Sequence, residues 1–233
     1  MTNPRPVFYD LISADGRALS PWCWHAKMAV AHKGLDVDMI SLGFTQKDQV
    51  IAAGGKSFPC MVEDGGQVSD DSKIITDRLE ELVPEPSLFP GGMASRTAYD
   101  FMHNYIQTVI FPNIAKMVIV DIPNVLDGDD KAYFVESREA RFGKPLAEVS
   151  ANRDEVRETF QKQLEPFRRA MAKTGWISGD GPAMADYLLF GALQWARVCS
   201  PYQIINDDDV IASWMDKMLD LFDGMGRKTA PAA

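Results

Sequence analysis

The stretch Ser20-Pro21-Trp22-Cys23-Trp24-His25-Ala26-Lys27-Met28-Ala29-Val30-Ala31-His32-Lys33-Gly34 decides how this 233-residue chain is read. Ser20 is a favoured helix N-cap, and Pro21 stands at the first helical position, where its missing N–H costs nothing. Lys33 in the last turn and Gly34 just past it form the matching stop signal. Trp22, Ala26, Ala29 and Val30 recur at i, i+4, i+7 and i+8, which gives the helix one apolar face. Upstream, Val7-Phe8-Tyr9-Asp10-Leu11 reads as a strand. Strand, loop and helix together hold a serine hydroxyl at the positive end of a helix. That arrangement stabilises an anion, and a thiolate in particular.

Working outward, residues 37–42 form a second strand and residues 45–53 a short helix ended by Gly54-Gly55. Residues 58–63 and 67–69 are strands joined by Asp64-Gly65-Gly66, a tight-turn signal. Asp70-Asp71-Ser72 caps a helix whose apolar stripe is Ile75, Leu79 and Leu82. The order β-α-β-α-β-β-α over residues 1–83 matches the thioredoxin-like arrangement. Residues 84–92, with Pro84, Pro86, Pro90 and Gly91-Gly92, are a linker. Residues 93–233 read as an all-helical domain. In it, Pro112 should kink or break a helix over 95–120. Residues 152–173 place Val156, Phe160, Leu164, Phe167 and Met171 on one face despite Pro166, and further helices cover 185–198 and 209–222. The Asp207-Asp208-Asp209 run favours the N-terminus of the last helix, and residues 227–233 read as frayed.

Composition excludes several classes. With 46% apolar and 24% charged residues the chain has the make-up of an ordinary globular protein. A formal charge of −9 opposes partnership with nucleic acid or an anionic membrane surface. No apolar run approaches membrane-spanning length, and Met-Thr-Asn-Pro-Arg-Pro at the start has no signal-peptide core. Cys23, Cys60 and Cys199, odd in number and scattered, fit reduced thiols in a cytoplasm. There is no Gly-rich phosphate loop, no G-x-S-x-G elbow and no metal-ligand spacing among the three histidines and three cysteines.

Ser20-Pro21 with Lys27 and Lys33-Gly34, then Phe58-Pro59, Asp71-Ser72 and Gly181-Pro182-x-x-Ala185-Asp186, follow one another in an order and spacing that resemble the cytosolic glutathione transferase superfamily over nearly the whole chain. Within it the chain is similar to the bacterial glutathione-dependent β-aryl etherases of lignin breakdown. That likeness rests on Ser20-Pro21, on Gly43-Phe44-Thr45 with Gly54-Gly55, and on Leu164-Glu165-Pro166-Phe167-Arg168-Arg169. Ala185-Asp186-Tyr187 and Asp220-Leu221-Phe222-Asp223-Gly224-x-Gly226-Arg227 reinforce it.

The resemblance implies a catalytic Ser20 whose hydroxyl donates a hydrogen bond to the glutathione sulfur; the plainer alternative is an N-cap without a ligand. A free thiol titrates near about 8.5, and a helix N-terminus lowers that to roughly 3.5–7.5. Cys23 is the rival centre. Of a C-x-x-C redox pair only the second position is cysteine here, so it is either an inert buried thiol or a participant in glutathione-dependent reduction or dehalogenation. Phe58-Pro59 stands where the family carries a cis-proline, with the preceding backbone pairing the ligand's cysteinyl peptide; Phe58 departs from the small aliphatic residue usual there. Asp71-Ser72 matches the pair that holds the γ-glutamyl end, and Lys56 is a candidate for the glycyl carboxylate. Both have plain alternatives, a helix cap and a solvated lysine. Asp186 matches the buried capping aspartate of the helical domain, with Ala183 where a capping box has Ser or Thr.

Trp22, Trp24, Tyr99, His103, Phe111, Met117 and Trp195 are candidates for the apolar wall of a second-substrate pocket between the domains, with core packing as the alternative for each. His103 alone among them carries an acid–base group. By resemblance the chain is a homodimeric enzyme with glutathione as co-substrate and a small aromatic electrophile as second substrate, acting in lignin breakdown or detoxification. A protein that binds glutathione or an aromatic ligand without turnover is the remaining alternative.

Overall fold

The computed structural model describes residues 5–233; residues 1–4, at the head of the stretch read for a signal peptide, lie outside the described residues. In chain order the first part contains β1 (Val7–Leu11), α1 (Pro21–His32), β2 (Asp38–Leu42), α2 (Asp48–Ala52), β3 (Cys60–Val62), β4 (Val68–Ser69) and α3 (Ser72–Leu82). The sheet order is β2-β1-β3-β4. β1 runs parallel to β2, from Val7↔Asp38 to Leu11↔Leu42, as a crossover through α1 requires. It runs antiparallel to β3 through Val7↔Val62 and Tyr9↔Cys60, and β4 is antiparallel to β3. This is the thioredoxin-like arrangement. The helix expected over 45–53 is shorter, a single tight turn at Phe44–Gln46 followed by α2.

Two expectations about apolar faces are corrected. α1 has no single buried stripe, because Cys23, Trp24, His25 and Met28 are buried as well as Ala26, Ala29 and Val30. The helix lies between other elements on several sides, and Trp22 is its half-exposed aromatic. Leu82, the last residue of α3, is 37% exposed and does not extend the buried pair Ile75 and Leu79.

The helical part contains α4 (Met93–Tyr105), α5 (Phe111–Val118), α6 (Gly128–Phe142), α7 (Leu146–Val149), α8 (Arg153–Gln163), α9 (Glu165–Thr174), α10 (Met184–Cys199) and α11 (Val210–Gly224). Pro112 does not break its helix. The five residues Ile106–Ile110 form a widened turn, so α4 runs on into α5 without the regular i−4 bond that the proline ring would obstruct. Pro166 sits in the first turn of α9, and the chain bends at Leu164 between α8 and α9. α11 is interrupted near its end, where Phe222 and Asp223 take left-handed φ values of 52° and 57°.

α10 is the buried axis of the helical part and crosses α1 at Gly191. A Cβ there would lie 2.5 Å from the Pro21 carbonyl oxygen, so only glycine permits the approach. Asp186, fully buried, caps the start of α10 without a capping-box partner. Its oxygens accept from the backbone N–H of Ile177 (2.9 Å), Ser178 (3.0 Å) and Ala183 (3.3 Å) and from the indole N–H of Trp214 (2.9 Å). The C-terminal residues are tied down rather than frayed. Arg17 donates to the Pro231 carbonyl at 2.6 Å, Arg197 to that of Thr229 at 2.9 Å, and the Ala232 N–H to that of Arg197 at 2.9 Å.

Candidate active site

Three segments meet at one end of the sheet. β1 ends there and leads into the loop before Ser20, β3 starts there just after Phe58-Pro59, and β4 ends there just before Asp71-Ser72. Antiparallel pairing of β3 with both neighbours forces this convergence.

Ser20 is the N-cap of α1, with extended backbone, and its Oγ accepts from the Cys23 N–H at 3.2 Å. Phe58–Pro59 is a cis peptide, and no described residue's backbone pairs with the N–H or C=O of Phe58. An unpaired backbone beside a sheet is the element that receives a peptide-like ligand. Asp71 is the N-cap of α3, with one carboxylate oxygen taken by the Lys73 N–H at 2.8 Å, while buried Ser72 fills the first helical position. Lys56 is an exposed loop lysine whose ammonium lies 3.8 Å from Asp70.

Ser20 also lines a cleft of about 450 Å³ between the sheet domain and the helices. Of the candidate wall residues, Trp22, Phe111 and Trp195 line it with Ser20. Phe111 stacks on Trp195 at 4.8 Å between ring centres, and Trp22 leans on Phe111 at 5.7 Å. His103 stands behind Trp22 at 5.8 Å, half-buried. Burial lowers its pKa, with a further push from Lys73 that Asp71 and Asp100 oppose.

Trp24, Tyr99 and Met117 are not wall residues. Trp24 lies about 200° round α1 from Trp22, buried, its indole donating to the Ala18 carbonyl at 2.9 Å. Tyr99 is buried against His25, hydroxyl to Nε2 at 3.1 Å, and Met117 is enclosed in the helical core.

Cys23 is fully buried, and that burial, with the charge of Asp10 adding to it, drives its thiol pKa well above the usual range. Asp10 is held by an ion pair with Lys27, and its second oxygen is buried without a partner. Cys60 and Cys199 are also buried free thiols; burial and then Asp70 raise Cys60 to about 11.

The sequence reading passed over the far wall of the cleft. Phe44 lines it from the loop after β2, and Phe134, Arg138, Arg141 and Phe142 line it from α6. The signal was there: 134, 138, 141 and 142 recur at i, i+4, i+7 and i+8. Asp130 ties the two pieces together, accepting from the N–H of Phe44 (3.0 Å) and Thr45 (2.8 Å) and from the Thr45 hydroxyl (2.7 Å). A Cβ on Gly43 would overlap that carboxylate, which gives the Gly43-Phe44-Thr45 motif its physical content. Among the described residues no group of three or more His, Cys, Asp or Glu side chains is placed to hold a metal, and no helix is long and apolar enough to cross a membrane.

Family models agree with this geometry. The glutathione S-transferase N-terminal domain matches residues 16–87 and the glutathione S-transferase C-terminal domain matches residues 98–221. The chain belongs to the glutathione S-transferase family, whose co-substrate is glutathione. The glutathione S-transferase-like protein ustS of Aspergillus flavus is 31% identical over 141 residues, which cover 54% of this chain and 50% of that protein. The match thus spans half the length of this curated relative. Among solved structures, glutathione transferase GSTFuA3 from Phanerochaete chrysosporium superposes with a TM-score of 0.73 at 22% identity, covering 98% of this chain and 95% of that one. The glutathione S-transferase CsGST63524 of Ceriporiopsis subvermispora, solved in complex with glutathione, superposes with a TM-score of 0.71 at 18% identity, covering 97% and 95%. These likenesses establish the shared fold.

Proposed function

We propose that the protein is a serine-type glutathione transferase acting on aromatic electrophiles. Glutathione lies along Phe58-Pro59, with its γ-glutamyl end at Asp71-Ser72 and its glycyl carboxylate toward Lys56. The Ser20 hydroxyl donates to the sulfur and, with the positive end of α1, stabilises the thiolate. The sulfur then attacks an electrophilic carbon of a substrate held in the aromatic cleft. In the etherase form of the reaction the C–S bond forms as the C–O bond of a β-aryl ether breaks and a phenolate leaves. The carrying observation is that one residue, Ser20, belongs both to the helix N-terminus and to the cleft.

The burial of Cys23 and its raised pKa favour the serine over a cysteine-centred reaction. Ile74 on α3 and Phe101 on α4 are 50% and 75% exposed beside the Lys73–Asp100 ion pair that joins those helices. They support a homodimer paired through this face. Turnover of an activated chloronitrobenzene with glutathione tests the proposal. Ser20→Ala should lower kcat/KM at least about tenfold, the loss of roughly 1.4 kcal/mol of transition-state stabilisation. An unchanged value, or tight ligand binding without turnover, would overturn it.

A further inference from the structure

One wall of the cleft beside Ser20 is cationic. Arg138, Arg141 and Lys116 all line it, and no carboxylate does. Arg138 is the most enclosed of the three. Its guanidinium lies over Phe134 at 4.8 Å and over Phe44 at 5.3 Å, and its Nη1 is 2.9 Å from the Ser137 hydroxyl. Among the described residues no carboxylate oxygen lies within 4 Å of any of these three cations. Asp130, on the same helix, is engaged by Phe44 and Thr45. Arg78, Arg168 and Arg153, also partly buried, are neutralised by Glu63 at 2.7 Å, Asp209 at 2.7 Å and Asp121 at 3.2 Å, whereas Arg157 and Arg197 donate instead to the carbonyls of Gln203 at 2.8 Å and Thr229 at 2.9 Å.

A guanidinium kept partly out of water without an anion is costly, and a neighbouring Arg141 adds repulsion. In a chain of net charge −9, half-buried Arg138 with exposed Arg141 and Lys116 beside an aromatic wall forms a receptor for negative charge.

We infer that the second substrate is an aromatic electrophile bearing a carboxylate, its ring on the Trp22–Phe111 wall and its anion held by Arg138, with Arg141 and Lys116 adding charge at the mouth. This rests on the cleft being the second-substrate site. The global field repels such a ligand, so selectivity for it has to be built locally, as it is here.

Biphenyl-4-carboxylate and its neutral isostere biphenyl-4-carboxamide test the inference. Their binding to the full-length, glutathione-loaded protein is followed by tryptophan quenching. The acid should bind at least about tenfold more tightly than the amide, the scale of a charge-assisted hydrogen bond. Arg138→Gln should bring the acid down to the amide's affinity, Arg138→Lys should retain part of the preference, and Trp195→Leu should weaken both ligands. Amide and acid binding equally to wild type, or a preference that survives in the Arg138→Gln/Arg141→Gln double variant, overturns the anion site and leaves the aromatic cleft standing. If neither ligand binds, or Trp195→Leu leaves both unaffected, the cleft is not the second-substrate site and the inference falls with it.

Discussion

Replacing Asp186 by alanine should strongly destabilise the protein. The carboxylate is 0% exposed and accepts three hydrogen bonds of 2.9–3.0 Å and a longer one of 3.3 Å. Each buried donor left without a partner costs roughly 1–3 kcal/mol. The Ile177 and Ser178 amides lie on half-buried residues that water can reach, so they fall in the lower part of that range. Trp214 is 1% exposed, and its indole N–H has no such relief. Removing a desolvated charge offsets part of the loss, which leaves a net cost of about 3–5 kcal/mol. For a chain of this size each kcal/mol moves the melting temperature by about 2–4 °C, so Tm should fall by about 10 °C. Asp186→Asn retains one accepting oxygen but turns an NH₂ toward two donors, and should fall between. Urea unfolding followed by tryptophan fluorescence measures both variants. An Asp186→Ala protein within about 1 kcal/mol of wild type would refute the role of this carboxylate as the cap that joins α10 to α11 and to the loop before it.

Gly191→Ala places a methyl against the Pro21 carbonyl, a backbone atom that cannot rotate away, and should cost roughly 1–3 kcal/mol in urea unfolding; a neutral substitution would mean the helices separate freely. His25 is fully buried, and that burial, with a smaller push from His103, holds its pKa at about 3. The unfolded chain takes up a proton below about pH 6.5 that the folded protein refuses. Stability from this source is therefore complete above that pH and declines as pH falls toward 3, by about 1.4 kcal/mol per unit. His25→Gln should remove that slope, so the stability gap between wild type and variant should narrow steadily from pH 7 to pH 4.5; a constant gap would refute it. All three cysteines are buried with raised thiol pKa values, so a thiol-specific reagent should label them only after denaturation. Cys23→Ala should leave the glutathione thiolate intact, and loss of that thiolate would move the chemistry to Cys23.

Much of the first half of the fold is legible because its signals act within one turn. Ser20-Pro21, Asp71-Ser72 and Asp64-Gly65-Gly66 set caps and a turn by local sterics and hydrogen bonding, whatever the rest of the chain does. What depends on distant partners is not legible. α6 is highly charged and begins at a glycine, and what docks it is the bond from Asp130 to Phe44 and Thr45, some 85 residues away. The cationic wall went unseen with it. Pro112 marks an obstacle to a regular helix, but whether the chain breaks or widens by one residue is decided by packing on both sides. The last residues look frayed by composition and are held by Arg17 from 214 positions away. Trp22 and Trp24 are equivalent as aromatic residues; the α10 crossing at Gly191 sets the roll of α1 and turns one to the cleft and the other to the core.

The most direct test is an ultraviolet difference titration of bound glutathione from acid to alkaline pH, in wild type and in Ser20→Ala. The expected result is a thiolate already formed near neutral pH in wild type, with the serine variant still binding glutathione but ionising it only near the pKa of the free thiol. The same thiolate in both proteins, or a thiol that stays protonated when bound to wild type, would contradict the assignment of Ser20 as the group that activates glutathione.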